Sequence, residues 1–194
     1  KCLVQIRRGR GSVSEKGVDV RLHAGVDIPD DLFAPMFRLY KSTIDKLYWG
    51  RQYLNESLFG LLRQRWRHRL RFFVARRDGD IVAGTFTVHK GDTLYGRYWG
   101  AFEELRFLHF EVCYYASIEH CLAAGITRFE PGAGGEFKYL RGFDAQATES
   151  AHFLAEPRLA AAVAGYLEHE RAAVQTEIDI LEERSPLIRR SDRA

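Results

Sequence analysis

The chain has 194 residues, of which 46% are hydrophobic and 13% are aromatic. This length and composition suit one domain, or one domain with an appendage, and allow a sizeable core. The net charge of +3 is too small to indicate nucleic-acid binding by itself. Neither a bilayer-spanning apolar run nor a signal-peptide pattern is present, so a cytoplasmic setting is expected.

The cysteines also exclude some classes of protein. Cys2, Cys113 and Cys121 are odd in number and form no CxxC pair, which argues against a disulfide framework and against a zinc site. We expect no metal, and we expect Cys113 and Cys121 to pack rather than act as nucleophiles. Because the chain begins at Lys1 and its only Met is Met36, we expect it to be a piece of a longer chain.

The first part of the chain is predicted to hold a strand and two helices. Residues 1–14 are basic and Gly-rich, and are expected to be a linker or an incomplete element. Alternation over 18–22 predicts a short strand. Helical spacing of apolar residues predicts a helix over 30–48, capped by one of its first aspartates. A second helix is predicted after Asn55.

The middle and end of the chain are predicted to form a meander followed by further helices and strands. The predicted strands are 72–76, 81–89, 93–101, 126–130 and 147–154. The predicted helices are 105–124 and 157–183. Asp78-Gly79 is a strong hairpin signal, Gly125 is typical of a helix end, and Pro157 suits a first helical turn. This order predicts a mixed α+β sheet rather than a doubly wound nucleotide fold.

One carboxylate stands out on the predicted helix 105–124. At about 100° per residue, Glu111 falls on an apolar arc, whose members are Tyr114, Tyr115, Ile118 and Leu122. His109, Cys113, Ser117 and His120 are predicted to lie opposite. A carboxylate on a buried stripe is costly unless it is paired. It is either a structural group bonded to a Tyr hydroxyl or an Arg, or a general base.

Further candidates flank the Gly-rich turn. Glu130 ends a predicted strand, where ligands approach backbone, and is either a second base, an orienter of an amine, or a solvated strand end. Lys138 and Arg141 are three residues apart, so a helical turn would put both on one side. There they would either bind a phosphate or carboxylate or form an ordinary charged surface.

Basic and apolar segments elsewhere leave alternatives open. The run RQRWRHRLR over 63–71 either contacts tRNA phosphates, with Trp66 stacking on a base, or is a solvated helix end. The apolar stripe of the helix 157–183 is expected to pack on the sheet or on a neighbouring domain. His152 is either catalytic or a packing residue of its strand.

Four motifs carry a family resemblance. They are RYWG at 97–100, HFEVCYY at 109–115, FEPGAGGEFK at 129–138 and RGF at 141–143. Together they resemble the bacterial FemAB-like family, usually described as peptidoglycan biosynthesis or recognition proteins, within the GNAT acyltransferase superfamily. The resemblance implies a splayed mixed sheet and a missing preceding domain of similar type. It implies a GNAT-like domain over 15–156, with a long helix and tail over 157–194 packed on it.

The resemblance also implies a function. Members transfer an acyl or aminoacyl group to an amine, as do the ligases that add amino acids from aminoacyl-tRNA to a cell-wall precursor. Glu111 and Glu130 then match the family's acidic residues and are expected to be catalytic. Substrate-binding residues are expected to be Arg97, Tyr114, Gly132, Gly134, Gly135, Lys138 and Arg141. No tightly bound cofactor is expected, and the partners would be a small-molecule or muropeptide amine, with acyl-CoA or tRNA as donor.

Two departures from the family pattern keep alternatives open. The family turn commonly has Gln and His where this chain has Gly134 and Phe137, which affects specificity or activity if either contacts substrate. Acetyl-CoA enzymes of the superfamily carry a turn that Arg97 and Gly100 match only in part, and Glu103 and Glu104 would repel a phosphate near it. The alternatives are an acetyl-CoA-dependent N-acetyltransferase and a non-catalytic recognition half of a two-domain protein.

Overall fold

A computed structural model describes residues 2–46, 51–132 and 136–183. The helices are α1 (Cys2–Ser14), α2 (Phe33–Ile44), α3 (Glu56–Leu61), α4 (Leu108–Phe110), α5 (Ala116–Ala124) and α6 (Pro157–Glu183). The strands are β1 (Val18–Ala24), β2 (Leu70–Arg77), β3 (Asp80–Lys90), β4 (Thr93–Ala101) and β5 (Arg128–Glu130). A π-helical turn, Glu111–Tyr115, joins α4 to α5.

The strands form one mixed sheet in the order β1-β2-β3-β4-β5. The first three pairings are antiparallel, and β5 pairs in parallel with the start of β4. The β2–β3 hairpin turns at Asp78 and Gly79, both at positive φ, as a tight hairpin requires. The predicted mixed α+β sheet and the hairpin are therefore confirmed.

The sheet is buried on both faces because successive side chains of β2 alternate between two clusters. Phe72 and Val74 pack with α2 and α3 in a cluster rich in aromatic rings. Phe73 and Ala75 point the other way and pack with Val13 and with Leu108 and Val112. The aromatic cluster includes the edge-to-face pairs Phe33–Phe72, Tyr40–Tyr98 and Phe59–Phe86, with ring centroids 4.8–5.6 Å apart.

The predicted face of the helix over 105–124 is wrong in its second half. Leu122, expected on the apolar arc, is 77% exposed, whereas Ser117, expected opposite, is fully buried. The cause is the π-helical turn Glu111–Tyr115. It inserts an extra residue into one turn, so a buried stripe that includes Val112 continues at Ser117 and Cys121 instead. A helical wheel with 100° per residue throughout cannot predict that rotation of the buried face.

Two other predictions for local structure need correction. Residues 1–14, expected to be a linker or an incomplete element, contain the helix α1, whose Val13 is 2% exposed in the core, so the linker alternative is wrong. The predicted strand over 147–154 is irregular and exposed. Its one aromatic residue, Phe153, is 92% exposed, so the segment has no apolar face to bury and forms no ladder among the described residues.

The chain divides into two compact units, Lys1–Ala133 and Gly134–Ala194. The first unit contains the whole sheet and α1 to α5. The second contains a 3₁₀ turn, Glu136–Arg141, and α6, whose predicted extent is confirmed. The division over 15–156 and 157–194 stays a prediction.

Gly100 allows α2 to pack directly on β4. A Cβ atom at this position would lie 1.7 Å from the Leu39 carbonyl oxygen, which is far inside van der Waals contact. The same helix donates hydrogen bonds from Thr43 Oγ1 to the Trp99 carbonyl oxygen, at 2.7 Å, and from Ser42 Oγ to that of Ala101, at 3.4 Å. Helix α2 therefore supplies hydrogen-bond donors to outward-facing carbonyl groups of β4.

We expect Gly100→Ala to lower the free energy of unfolding by about 3 kcal/mol or more, because α2 would have to move off β4. Gly60→Ala is the matched control, since a Cβ there meets no heavy atom within 4 Å. That change should stabilise α3 by about 0.5–1 kcal/mol. Urea denaturation of both variants checks this, and equal effects would contradict it.

The histidine His120 makes the fold sensitive to acid. Burial, and then the charges of Arg71 and His89, lower the pKa of His120 below its usual value. Its neutral form is favoured in the folded chain, so the stability it contributes is present above the unfolded pKa of about 6.5 and is lost as pH falls through the lower folded pKa.

We expect the free energy of unfolding to fall as pH drops below about 6.5, by at most about 1.4 kcal/mol per pH unit from His120. His120→Gln should make that fall shallower, whereas His68→Gln, at an exposed position, should leave it unchanged. Denaturant midpoints measured from pH 8 to 5 in zwitterionic buffers decide this. An unchanged slope in His120→Gln would be the contrary result.

Candidate functional site

Glu111 is held by an arginine from the first helix. The residue is 9% exposed, and Arg10 of α1 donates to both carboxylate oxygens, with Nε–Oε2 at 3.0 Å and Nη2–Oε1 at 2.9 Å. An arginine partner, one of the two expected for a structural carboxylate, is thus present. The role of Glu111 as a base stays a prediction, and both of its oxygens already accept from a guanidinium.

Arg10 links Glu111 to a second carboxylate. It also bonds Glu119 on α5, and its guanidinium lies 5.8 Å from the Tyr115 ring centroid. The bonds to Glu119, and then those to Glu111, raise the pKa of Arg10 above its usual value. Arg10, Glu111 and Glu119 border a cavity of about 410 Å³, whose apolar wall includes Val18 and Val20 of β1. Sequence reasoning missed Arg10 because it lies where a linker was expected.

Glu130 lies in a more open setting at the end of β5. It is the last residue that pairs with β4, opposite Tyr95, and its side chain is 48% exposed. Within the described part of the chain it pairs with Arg128, with Nη1–Oε1 at 3.9 Å, which is a weak surface pair. Gly96 lets the chain pass closely, since a Cβ there would lie 3.3 Å from the Glu130 carbonyl oxygen.

Three other predicted site residues differ in their exposure, backbone conformation and contacts. Arg97 is exposed and its guanidinium lies 5.9 Å from the Tyr98 ring centroid. Gly132 adopts φ +87°, a conformation that favours glycine. Tyr114 is buried, 5.4 Å from the His109 ring between centroids. Gly134 and Gly135 lie outside the described residues.

The two predicted bases do not come together. Glu111 borders a cavity lined by β1, whereas Glu130 belongs to β5. These strands are the opposite edges of the sheet, and four strand spacings amount to about 19 Å. The two carboxylates therefore cannot share a proton or act as a pair, and each must be judged by its own surroundings.

Lys138 and Arg141 belong to the second unit, in the 3₁₀ turn Glu136–Arg141. Residues three apart in such a turn are eclipsed, so both lie on one side, as predicted. Arg141 Nη1 donates to the Phe137 carbonyl oxygen at 2.6 Å, and its guanidinium lies 5.9 Å from the Phe137 ring. Burial lowers the pKa of Lys138. Phe137, a departure from the family pattern, thus contacts one of the predicted substrate-binding cations.

A further cavity, of about 460 Å³, lies where β4 ends. Its walls include Trp99, Leu105 and Phe110, with Lys46 and His109 among its polar groups. The Trp99 and His109 rings are 4.8 Å apart between centroids. Phe107, also in the wall, precedes α4 at φ +71°, which is strained for a bulky residue. Sequence reasoning missed this cavity, although the dense aromatic residues after β4 were its signal.

The segment that matches the superfamily's coenzyme A motif in part uses several of its groups for contacts within the chain. Its glycine, Gly100, lies in β4 and is needed for contact with Leu39. The backbone N–H groups of Phe102 and Glu103 both donate to the Val82 carbonyl oxygen, at 2.8 and 3.4 Å. Glu104 is paired with Lys46, with Nζ–Oε1 at 2.9 Å. Two backbone amides and a lysine at the end of β4 are therefore already engaged within the chain.

The basic run over 63–71 is partly structural. Arg63 and Arg67 pair with Asp30, and Arg67 also lies 5.3 Å from the Phe33 ring. Trp66 ends a π-helical turn, Leu62–Trp66, and is 55% exposed. Contact with tRNA stays a prediction for the exposed part of the run.

Sulfur and metal chemistry have little support at this site. Burial raises the pKa of the Cys113 thiol, and burial also raises that of Cys121, which opposes a thiolate nucleophile. Within residues 2–46, 51–132 and 136–183, no three His, Cys, Asp or Glu side chains are grouped as a metal ion would require.

We expect Arg10 to be coupled more strongly to Glu111 than to Glu119. Glu111 is the more buried partner, with a side chain 11% exposed against 57% for Glu119. A double-mutant cycle with Arg10→Met and Glu111→Gln should give about 1–3 kcal/mol, and the matched cycle with Glu119→Gln at most about 1 kcal/mol. Equal couplings, from chemical denaturation, would show that burial does not set the strength of this cluster.

Comparison with solved structures identifies the fold of the chain. L-PGS from Bacillus licheniformis superposes with a TM-score of 0.51 at 10% identity, over 68% of this chain and 41% of that one. The chain thus spans less than half of L-PGS. A possible acetyltransferase from Clostridium difficile 630 superposes with a TM-score of 0.51 at 11% identity, over 72% of this chain and 99% of that one. At these identities the likeness shows the fold, which is that of the GNAT acyltransferases.

None of the helices in the described parts of the chain has the length and hydrophobicity that a membrane span requires.

Sequence comparison is more specific than the comparison of structures. No curated protein matches the chain significantly. The FemAB-like family, described as peptidoglycan biosynthesis/recognition, matches residues 4–189. With nearly the whole chain matched, the protein belongs to the FemAB-like family.

Proposed function

We propose that the protein transfers an acyl or aminoacyl group to an amine of a peptidoglycan precursor. Membership in the FemAB-like family and the GNAT fold support acyl or aminoacyl transfer in general. The family description favours a muropeptide acceptor. The observation that carries the mechanism is the position of Glu130, half-exposed at the point where β5 stops pairing with β4.

In the proposed mechanism Glu130 is the general base. The acceptor amine attacks the acyl carbonyl carbon, a C–N bond forms, and the bond from that carbon to the donor oxygen breaks. Glu130 accepts the proton that the amine nitrogen loses, directly or through water, and the leaving oxygen takes up a proton. Glu130 suits this role because, among the described residues, its carboxylate is engaged only by a weak surface pair with Arg128.

Glu111 has a different role in this proposal. Its carboxylate is buried and bonded through both oxygens to Arg10. Releasing it for proton transfer would break the hydrogen bonds of a buried carboxylate, which costs free energy. We assign Glu111 to holding α1 against the segment between α4 and α5.

The proposed acyl donor is aminoacyl-tRNA rather than acyl-CoA. Gly100 is covered by Leu39, and the amides of Phe102 and Glu103 bond Val82. Little of the turn after β4 is then left to hold a pyrophosphate. Lys138 and Arg141 would bind an anionic part of the donor or the acceptor.

We expect Glu130→Gln to lower the rate of aminoacyl transfer by about 10²–10⁴-fold, because the amide cannot accept the proton. Glu111→Gln should lower stability while keeping most of the activity at a temperature where it stays folded. Mass spectrometry of a nucleotide-linked muropeptide incubated with aminoacyl-tRNA and enzyme measures the product. Full activity of Glu130→Gln, with folding verified by circular dichroism, would remove Glu130 from the mechanism.

The donor can be tested separately by calorimetric titration. We expect saturable binding of the muropeptide precursor and none of acetyl-CoA. Saturable binding of acetyl-CoA would contradict the proposed donor and favour the N-acetyltransferase alternative. Precursor binding without transfer from either donor would instead favour a non-catalytic recognition role.

A further inference from the structure

Strand β1 forms one edge of the sheet, and its outer side is open. It pairs with β2 along its whole length, and the register of this pairing contains no bulge. No other strand of residues 2–46, 51–132 and 136–183 pairs with its second side. Open edges are templates for pairing, and proteins usually block them with prolines, bulges or unfavourable charges. The sequence VDVRLHA of β1 contains no proline, so the question is what its charges do.

One face of β1 is apolar. Val18 and Val20 pack on the cluster that contains Phe73. Leu22 lies opposite Phe73 in the β1–β2 ladder and therefore shares this face. Leu22 is still 37% exposed, and Val20 is only half-buried. An apolar row thus reaches the open edge, where a further strand would remove more of it from water.

The other face of β1 carries two opposite charges. By alternation, Asp19 and Arg21 lie on the face away from the apolar row. Their side chains are 56% and 73% exposed, and they pair with each other across one intervening residue. An exposed pair of this kind contributes little to stability. Charges of one sign would repel a second copy of the strand, whereas these two have opposite signs.

The pattern of β1 is self-complementary. When two copies of a strand pair antiparallel about a twofold axis, residues at equal distances on either side of the axis face each other. With Val20 on the axis, Asp19 of each copy faces Arg21 of the other. In the same register Val18 of each copy faces Leu22 of the other. Opposite charges and apolar side chains both make favourable cross-strand pairs. An axis at Asp19 or at Arg21 would instead place like charges opposite each other.

We propose that two copies of this chain form a symmetric dimer through β1, paired antiparallel with Val20 opposite Val20. The two sheets then become one continuous sheet, and the outward backbone groups of β1 gain hydrogen-bond partners. Strand β5, with Glu130, forms the other edge of the sheet. The proposed catalytic carboxylate therefore stays open in both copies. The inference does not depend on the proposed transfer reaction.

Sedimentation velocity of the chain at pH 7 tests the dimer. An interface of one strand is small and gives a weak complex, so the average mass should rise toward that of two chains between about 1 µM and about 1 mM. Asp19→Arg and Arg21→Asp each place like charges opposite each other, and each should raise the dissociation constant by about tenfold or more. The double variant exchanges the two charges and should restore the dimer. Asp45→Arg, an equal change of charge at an exposed position after α2, should have no effect.

Three results would overturn the proposal. They are a monomer at every concentration, a dimer that the β1 variants leave unchanged, and a dimer lost in the single variants but not recovered in the double variant. Where a variant fails to fold, hydrogen exchange in the unaltered chain gives the answer. The outward amides of β1 should exchange more slowly at high protein concentration than at low. Exchange independent of concentration would mean that this edge stays open in solution.

Discussion

The close packing of α2 on β4 at Gly100 shapes one end of the sheet. With no side chain at Gly100, the Leu39 carbonyl can approach the strand to a distance that any Cβ would forbid. Ser42 and Thr43 then bond the carbonyl groups that β4 turns outward. Since β5 pairs only with residues 93–95 of β4, the outer edge of the rest of β4 is left to helix α2. A glycine that resembles part of a cofactor motif therefore has a packing role here.

The two acidic residues suggested by the family resemblance have different environments. In each case the neighbouring groups account for the difference. Glu111 begins the π-helical turn and faces α1, where Arg10 takes both of its oxygens. Glu130 lies at the end of β5, and its side chain is 48% exposed. A buried pair stabilises packing, whereas an open carboxylate can exchange protons with a substrate. The difference in surroundings, not in residue type, separates a structural role from a proposed catalytic one.

Polar groups are concentrated at both ends of this sheet, but in different ways. At the end of β4, charges such as Glu104 and Lys46 are paired around an apolar cavity. At the other end, Arg71, His89 and His120 are partly buried, and each has one buried side-chain nitrogen without a hydrogen-bond partner among the described residues. A low dielectric surrounding strengthens paired groups and penalises unpaired ones. The first end is therefore satisfied more completely by the chain itself than the second.

The sequence by itself determined the elements whose signals are local. Asp78-Gly79 predicted the hairpin, Gly125 the end of α5 with its left-handed conformation, and Pro157 the start of α6. Each depends on the backbone preferences of one or two residues, and these preferences do not depend on the rest of the fold. The family motifs likewise predicted the GNAT fold and its mixed sheet.

Only the tertiary structure decided which partners these elements have. No local pattern could pair Arg10 with Glu111, since they are 101 residues apart, or place Glu111 and Glu130 toward opposite edges of the sheet. The π-helical turn moved Ser117 into the core against the regular wheel, and α6 kept its length while the strand expected before it did not form. The physical reason is common to all of these. Burial and pairing depend on groups distant in sequence, whereas turns and helix ends depend on near neighbours.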